Sequence, residues 1–499
     1  MPLPFRVADE AGLGSKLVEE VQVSVNEEAT DKPKTGEEGA FELPEGDFED
    51  GMLGISEEDS IQALRTTLAL EEHFCDEDFP ADNTTIFFSE RTDADIAWKR
   101  PFELVDEPQL FIDGASRRDV VQGCLGDCWF LSSCAAVARK SKLIERVVPP
   151  EQPLFGDGYT GLVVCHFWRF GEWVTVCIDD RLPTKDGVLM FARSADASEF
   201  WVALVEKAYA KLHGTYEALE GGQSMDAMVD LTGGLAERYD MEDTENLKKL
   251  YTHLLKSSRN GAFITCSRKG DWRNATKADE HGLVEGHAYT VSGVARVKHE
   301  EHGTVNLIRV RNPWASGDEW NGKWSDTDSL WSGVPEEQRQ KLGVNSLSDG
   351  EFWMSYDDFC EQFEEVSVCT IGPDFDNDGT VDHVGQVDDD DDDGCNVLIG
   401  VMQEHRRSNR SIGVKMLQIA FFLYKTDDPD RRLPVTHFYY NYEDGTSGTY
   451  INFREVLSRA DLVPGHYVII PATFLPDSPG YFMVRVYSPK PFQLKKLPD

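Results

Sequence analysis

Helical and strand-like patterns of apolar residues are mixed from about residue 80 to 370, whereas beyond 395 only strand-like patterns remain. CWFLSSCAAVARK is apolar through most of its length and predicts a helix opening just after Asp127. FWVALVEKAYAKLH predicts a second helix, capped by Ser198 and stopped at Gly214, a residue suited to the left-handed turn that ends a helix. NLKKLYTHLLK predicts a third, and AFITCS, HAYTVSGVARV and VNLIRVR read as strands. Downstream, CNVLIGVMQ, LQIAFFLYK, HYVIIPATF and GYFMVRVYS are separated by turn-rich segments, the pattern of an antiparallel β-sandwich. No repeat of fixed period is present.

These patterns divide the chain. Residues 1–55 are rich in Glu, Asp, Gly, Pro and Lys and read as a disordered acidic arm. A helical lead-in covers 56–79, where Ser56 and Asp59 form a capping box and Ile61, Leu64 and Leu68 share a face. Two folded halves follow, 80–232 and 233–372, with the Gly pair of TGGLAE as a hinge. Residues 373–394 form an acidic linker that includes six consecutive aspartates, Asp388 to Asp393, and 395–499 form the sandwich. The expected class is α+β.

Composition narrows the function. A length of 499 residues exceeds one hydrophobic core and predicts several domains. The formal net charge of −41 argues against nucleic acid as the partner, since backbone binding needs clustered Lys and Arg. It suits a protein that binds cations or basic segments, although solubility alone also explains it. MPLPFRVADEAG carries no secretory pattern, and no apolar run reaches the roughly twenty residues of a membrane span. The ten cysteines are scattered and match no zinc spacing, so reduced thiols in the cytoplasm are expected.

One of those thiols sits in QGCLGDCWFL, residues 122–131. A free thiol is mostly protonated at neutral pH, and two devices lower its pKa: a helix N-terminus beneath the sulfur and a nearby imidazolium. Cys128 gains the first if the helix opens after Asp127. His287 in VEGHAYTVSGV, at the start of a strand, is the candidate for the second. Asn312 in VRNPW suits the role of orienting the imidazole, and Trp314 could cover the His–Asn bond. Gln122 and the backbone N–H of Cys128 could donate to an oxyanion. A lone Cys in an apolar segment is ordinarily a small core residue, and Cys134, Cys165 and Cys177 read that way. The ordered set Gln, Cys, His, Asn, with a Trp after the Asn, is far less expected by accident.

QGCLGDCWFL, EGHAYTVSG, RNPW with EWNGKWSD, and DGEFWMSYDDF closely resemble the protease core of the calpain family. LVPGHYVIIPATF and FMVRVYS resemble the β-sandwich that follows it, so the resemblance spans roughly residues 75–499. It implies a papain-like core in two subdomains, the nucleophile on the first and the His and Asn on the second. It also implies calcium-driven limited proteolysis of protein substrates in the cytoplasm. On the same resemblance, Cys128 is the nucleophile, His287 the base, Asn312 the orienting residue, Gln122 the oxyanion donor and Trp314 the shield. Calcium is the implied cofactor at two sites. The first takes the carbonyls of Ile112 and Gly114 with Asp119 and Glu199. The second takes Glu319, Asp326, Asp349 and Glu351 with the Leu347 carbonyl. Both sets offer the mixed carboxylate and carbonyl oxygens that calcium prefers. Contact of the sandwich with membrane phospholipid is a further expectation.

The sequence departs from the family pattern in places. Ala315 stands where the family usually has Gly, and the loop to Glu319 reads one residue longer. Cys124 lies close to the nucleophile and adds a redox liability. The chain ends at Asp499 without an EF-hand domain, and DFDNDGTVD at 374–382 imitates an EF-hand but has Gly385 where a bidentate Glu is required. An EF-hand small subunit is therefore not implied. Two other readings compete. A transglutaminase also uses a papain-like Cys and calcium, but GDCWFL and an Asn third member weigh against it. A catalytically silent calcium-dependent scaffold or lipid-binding adaptor is opposed by the intact Gln122, Cys128, His287 and Asn312.

Overall fold

The structure is a computed structural model. It describes the strand segments 6–8, 15–17 and 21–25, residue 61, and the ranges 73–374 and 395–497 apart from positions 90, 94, 243–246, 269, 272, 274, 316, 345–348, 405, 406, 409, 411 and 412. Apart from residue 61, the lead-in up to residue 72 falls outside the described residues, as do the six aspartates, the EF-hand-like stretch beyond 374 and Leu347. The helical reading of the lead-in is corrected at 73–79, which form bends and irregular chain.

The first half is built around the helix Cys128–Val137, every residue of which is buried. Its sequence explains that burial: ten residues without a charge leave no face for water. The helices Trp201–His213 and Ser224–Thr232 pack around it, with the hairpin Leu162–Arg169 and Glu172–Asp179 on the outside. The second of the expected helices opens later than its sequence predicts. Ser198 does not cap it. The Ser198 carbonyl accepts from Gln109 N (2.7 Å), and Phe200 N donates to Gln109 O (3.0 Å). That bridge between Gln109 and Glu199 holds the chain extended until Trp201. Gly214, with φ of +100°, ends the helix as expected.

Gly233, in the left-handed region at φ +71°, ends the helix Ser224–Thr232 and turns the chain into the second half. That half is a six-stranded antiparallel sheet in the order 235–240, 363–370, 263–268, 288–299, 303–311, 351–355. The helix Leu247–Asn260 covers one face, its Leu250, Leu254 and Leu255 packed with Ile264, Val291 and Val366.

The C-terminal domain is the expected sandwich, of a three-stranded and a five-stranded sheet. Its inner faces meet through Val397, Ile399, Phe421, Leu423 and Ile469. Reading residues 1–55 as disordered is corrected at 21–25. VQVSV pairs antiparallel with 465–469 on one side and 492–496 on the other, an inner strand of the larger sheet. Its alternating β-branched valines are the strand signal that the acidic surroundings hide. Among the described residues no helix is long and apolar enough to cross a membrane.

The sandwich is bolted to the protease halves by arginines. Arg454 Nη1 lies 2.6 Å from Asp230 Oδ1, and its Nη2 donates to the Asp226 carbonyl (2.8 Å). Arg485 donates to the Gly234 carbonyl (3.1 Å), and Arg407 donates to the carbonyls of Ala218 and Gly221 (2.9 and 2.8 Å). Asp230 also accepts from Tyr209 (2.7 Å), and both Asp230 and Arg454 are almost wholly buried. Removing the guanidinium would strand two buried carboxylates. Arg454→Ala should therefore lower the unfolding free energy by about 3–5 kcal/mol, read as an earlier urea midpoint; an unmoved midpoint would show that the cluster carries no net stability.

Candidate active site

His287 ends the turn before the strand 288–299, and Asn312 follows the strand 303–311. The two strands are antiparallel neighbours, with Thr290 opposite Arg311, so the pairing brings two residues 25 positions apart to the same sheet end. His287 Nε2 lies 2.9 Å from Asn312 Oδ1. The same oxygen accepts from Trp314 N (3.0 Å). A backbone N–H can only donate, so that atom is the amide oxygen and Nε2 carries the imidazole proton, leaving Nδ1 free as a base. The Trp314 ring lies against the imidazole, centroids 5.0 Å apart, as the sequence reading expects of a shield.

The nucleophile helix reaches this sheet end from the other half. The Ala288 N–H points at Cys128 Sγ (3.5 Å), and Thr290 Oγ1 donates to the Ser132 carbonyl (2.7 Å). Gln122 N donates to Pro313 O (2.9 Å), which ties the Gln122 segment to the turn carrying Asn312. Four of the five expected catalytic residues are buried, and Trp314 is half-buried. The Gln122 side-chain nitrogen donates to the Leu125 carbonyl (2.6 Å) and leans toward Asp127 Oδ1 (3.5 Å), while its Oε1 has no partner.

The group that faces Cys128 Sγ is the N–H of Ala288, the residue after His287. Burial pushes the Cys128 thiol up to about 12, against the pull of the Ala288 N–H. Burial also lowers His287 to about 4, partly offset by its bond to Asn312. In this arrangement both groups are neutral at pH 7, a thiol and an imidazole rather than an ion pair.

The expected calcium ligands gather in two places. In the first, Glu199 Oε1 accepts from Ile112 N (2.7 Å), and Asp119 Oδ2 accepts from Ser116 N (2.6 Å) and Trp201 Nε1 (3.1 Å). Gly114 has φ +82°, a conformation that exposes backbone carbonyls at low cost. Burial, reinforced by the charge of Asp119, raises Glu199 to about 7, and burial raises Asp119 too. In the second, Glu319 Oε1 accepts from Gly350 N (2.7 Å). Burial and then Glu319 raise Asp326 to about 7, while burial and Asp349 raise Glu319. Carboxylates that are short of water and repel one another suit a divalent cation. Glu351 differs, because Arg117 (3.1 Å) and Arg309 (3.1 Å) already neutralise it. Among the described residues no three acid, His or Cys side chains are close enough together to hold a metal by themselves. Leu347 lies outside the described residues.

The Arg117–Glu351 pair joins the two halves, as does Arg311 donating to the Arg118 carbonyl (3.3 Å). Sequence reasoning misses both, since pairs 234 and 193 residues apart leave no local signal. It also misses the contact between the side chains of Asp127 and Glu206 behind the nucleophile. Ala315 lies in the left-handed region, φ +49°, the reason a Gly is the natural residue there.

Cys75 and Cys124 are exposed, whereas Cys128 is buried. Iodoacetamide at pH 7 without added metal should therefore label Cys75 and Cys124 well before Cys128 in a peptide map. Labelling of Cys128 first would mean that its thiolate already exists in this arrangement.

Two family models match the chain. Residues 74–370 match the model described as calpain family cysteine protease, and 377–487 that described as calpain large subunit, domain III. Calpain-A of Drosophila melanogaster is 40% identical over 472 residues, covering 85% of this chain and 56% of the relative. Calpain-9 of Rattus norvegicus is 41% identical over 456 residues, covering 84% and 65%. The calpain-1 catalytic subunit of Mus musculus is 39% identical over 476 residues, covering 85% and 66%. The chain thus spans between about half and two thirds of the length of these relatives.

Proposed function

The chain belongs to the calpain family of cysteine proteases, and from that premise we propose that it is a calcium-activated cysteine endopeptidase performing limited proteolysis of protein substrates. The observation that carries the reading is the His287 Nε2–Asn312 Oδ1 bond, with Cys128 Sγ beside the next backbone amide. Asn312 holds the ring so that Nδ1 can take the Cys128 proton. The thiolate then attacks the scissile carbonyl, and the imidazolium returns its proton to the leaving amine. The Cys128 N–H is a donor for the tetrahedral oxyanion. Gln122 can join it once its amide leaves the Leu125 carbonyl.

The neutral thiol and imidazole mean that activation must bring Nδ1 against Sγ and stabilise the charged pair. Calcium, when bound, supplies positive charge at two carboxylate clusters. The Ile112 and Gly114 carbonyls with Asp119 and Glu199 would hold one ion, and Glu319, Asp326, Asp349 and Glu351 the other. For Glu351 this means sharing its oxygens with Arg117 and Arg309. Because that glutamate is on the second half and Arg117 on the first, a change in how Glu351 shares its oxygens would bear on the seam between them. Thiols left outside any disulfide at Cys75, Cys124, Cys128 and Cys134 support a reducing cytoplasm as the place of action. Tyr440, Tyr442 and Phe474, exposed on the sandwich, support a phospholipid contact.

Cys128→Ser should abolish casein cleavage while leaving the unfolding transition in place, and Asn312→Ala should lose about 10²–10⁴-fold in kcat. Cleavage by the serine variant above trace rate would sink the assignment. Excess chelator should silence the wild type, and Asp326→Asn should raise the calcium needed for half-maximal activity. A calcium curve unchanged in that variant would remove Asp326 from the site.

A further inference from the structure

Asp127 occupies the position before the nucleophile helix where a carboxylate ordinarily accepts from the second or third helical N–H. It does not do so: no side-chain cap bond forms, and the backbone there has φ −111° and ψ 25°. The side chain turns inward instead and meets Glu206, from the middle of the helix Trp201–His213. Asp127 is 0% exposed and Glu206 1%.

The hydrogen bonds around the pair fix its protons. Both oxygens of Glu206 accept from Ala192 N (3.1 and 3.0 Å). Asp127 Oδ1 faces the Gln122 amide, and its Oδ2, fully buried, has no N–H or hydroxyl partner. Among the described residues no Lys, Arg or His is ion-paired to either carboxyl. The ionisable groups facing them are Cys128, Cys134 and Tyr216, each held neutral by burial, and the more exposed Cys124. Two carboxylates in contact at this depth, with no cation beside them, would repel strongly in the low local dielectric. A carboxylic acid on one of them removes that cost and supplies the donor that Oδ2 lacks.

We propose that Glu206 is a positioning residue, a neutral acid that donates a hydrogen bond to Asp127 and thereby holds the Gln122 amide and the start of the nucleophile helix in register. Burial and the Asp127 charge together keep Glu206 well above the usual carboxylate range, while Asp127 ionises first, at about 7. The proton therefore stays on Glu206 and the bond runs from Glu206 to Asp127. The pair carries at most one negative charge beside Cys128, whose thiolate that charge opposes. The consequence is for Gln122. With Asp127 anchored from behind, its Oδ1 offers the amide an alternative acceptor to the Leu125 carbonyl, on the nucleophile's own side. This inference rests on the peptidase reading for its kinetic part only.

The test compares two near-isosteric variants of the full chain, E206Q and E206L, in saturating calcium with a peptide substrate. Gln keeps a donor toward Asp127, and Leu does not. E206Q should retain kcat within about threefold, and E206L should lose at least about tenfold with KM little moved, because an oriented donor acts on the transition state. Equal kcat in the two variants, whether both high or both low, would overturn the proposal. If E206L does not fold, E206Q alone decides, and a loss beyond about tenfold in a folded E206Q overturns it. An infrared difference spectrum, wild type minus E206Q at pH 8, needs no activity. It should contain the C=O band of a buried carboxylic acid, and its absence refutes the proton assignment. A wild type that cleaves nothing in calcium would overturn the peptidase reading, while the infrared band would still decide the proton.

Discussion

The helix Cys128–Val137 has no face toward water, so every polar group at its N-terminal end must be satisfied by protein. The constraint propagates outward. The Trp129 indole donates to the Leu219 carbonyl (2.8 Å), and Gly221 N donates to Gly126 O (2.8 Å), so the 218–221 turn is strapped to the residues before the nucleophile. The carbonyls left over on that turn are taken by Arg407 from the sandwich, whose guanidinium lies 4.4 Å over the Trp129 ring. Gly222 is obligatory in this stack, because a Cβ there would fall 2.4 Å from Trp129 and 2.5 Å from Arg407. A sulfur in such surroundings is a poor acid. The reactivity expected of it has to come from a change in what faces it.

On the proposed function, that change would fall at the seam between the halves. The seam is crossed by Gln122 N to Pro313 O, Ala288 N to Cys128 Sγ, and the Arg117–Glu351 ion pair. The first two act at the cleft itself. The third is remote from it, yet Glu351 pairs with Arg311 across two strands, next to Asn312. A shift of one carboxylate relative to its guanidiniums can thus be felt at the imidazole through a single rigid sheet.

Much of this architecture was legible in the residues. The strands 263–268, 288–299, 303–311, 395–403 and 419–426 and the helices opening at Cys128 and Leu247 lie where period and capping put them. The pairing of His287 with Asn312 follows the predicted chemistry. What stayed hidden was long-range or offset locally. The late start at Trp201 is imposed by Gln109, ninety residues away, which no capping rule can anticipate. Asp127 marked only the place where the helix opens, and the depth of Glu206 reveals that its carboxylate has a further use. The strand 21–25 was masked by the charged residues on either side of it.

The belt of guanidiniums under the protease halves alters how damage to this molecule would be distributed. Arg407, Arg454, Arg459 and Arg485 all belong to the last hundred or so residues, and each reaches into the first two thirds of the chain. In a saturation survey of amino-acid changes, intolerance would not outline the cleft alone. It would also mark these four positions, at sites that touch no substrate, and inheritance of lost activity would map to a domain that performs no chemistry.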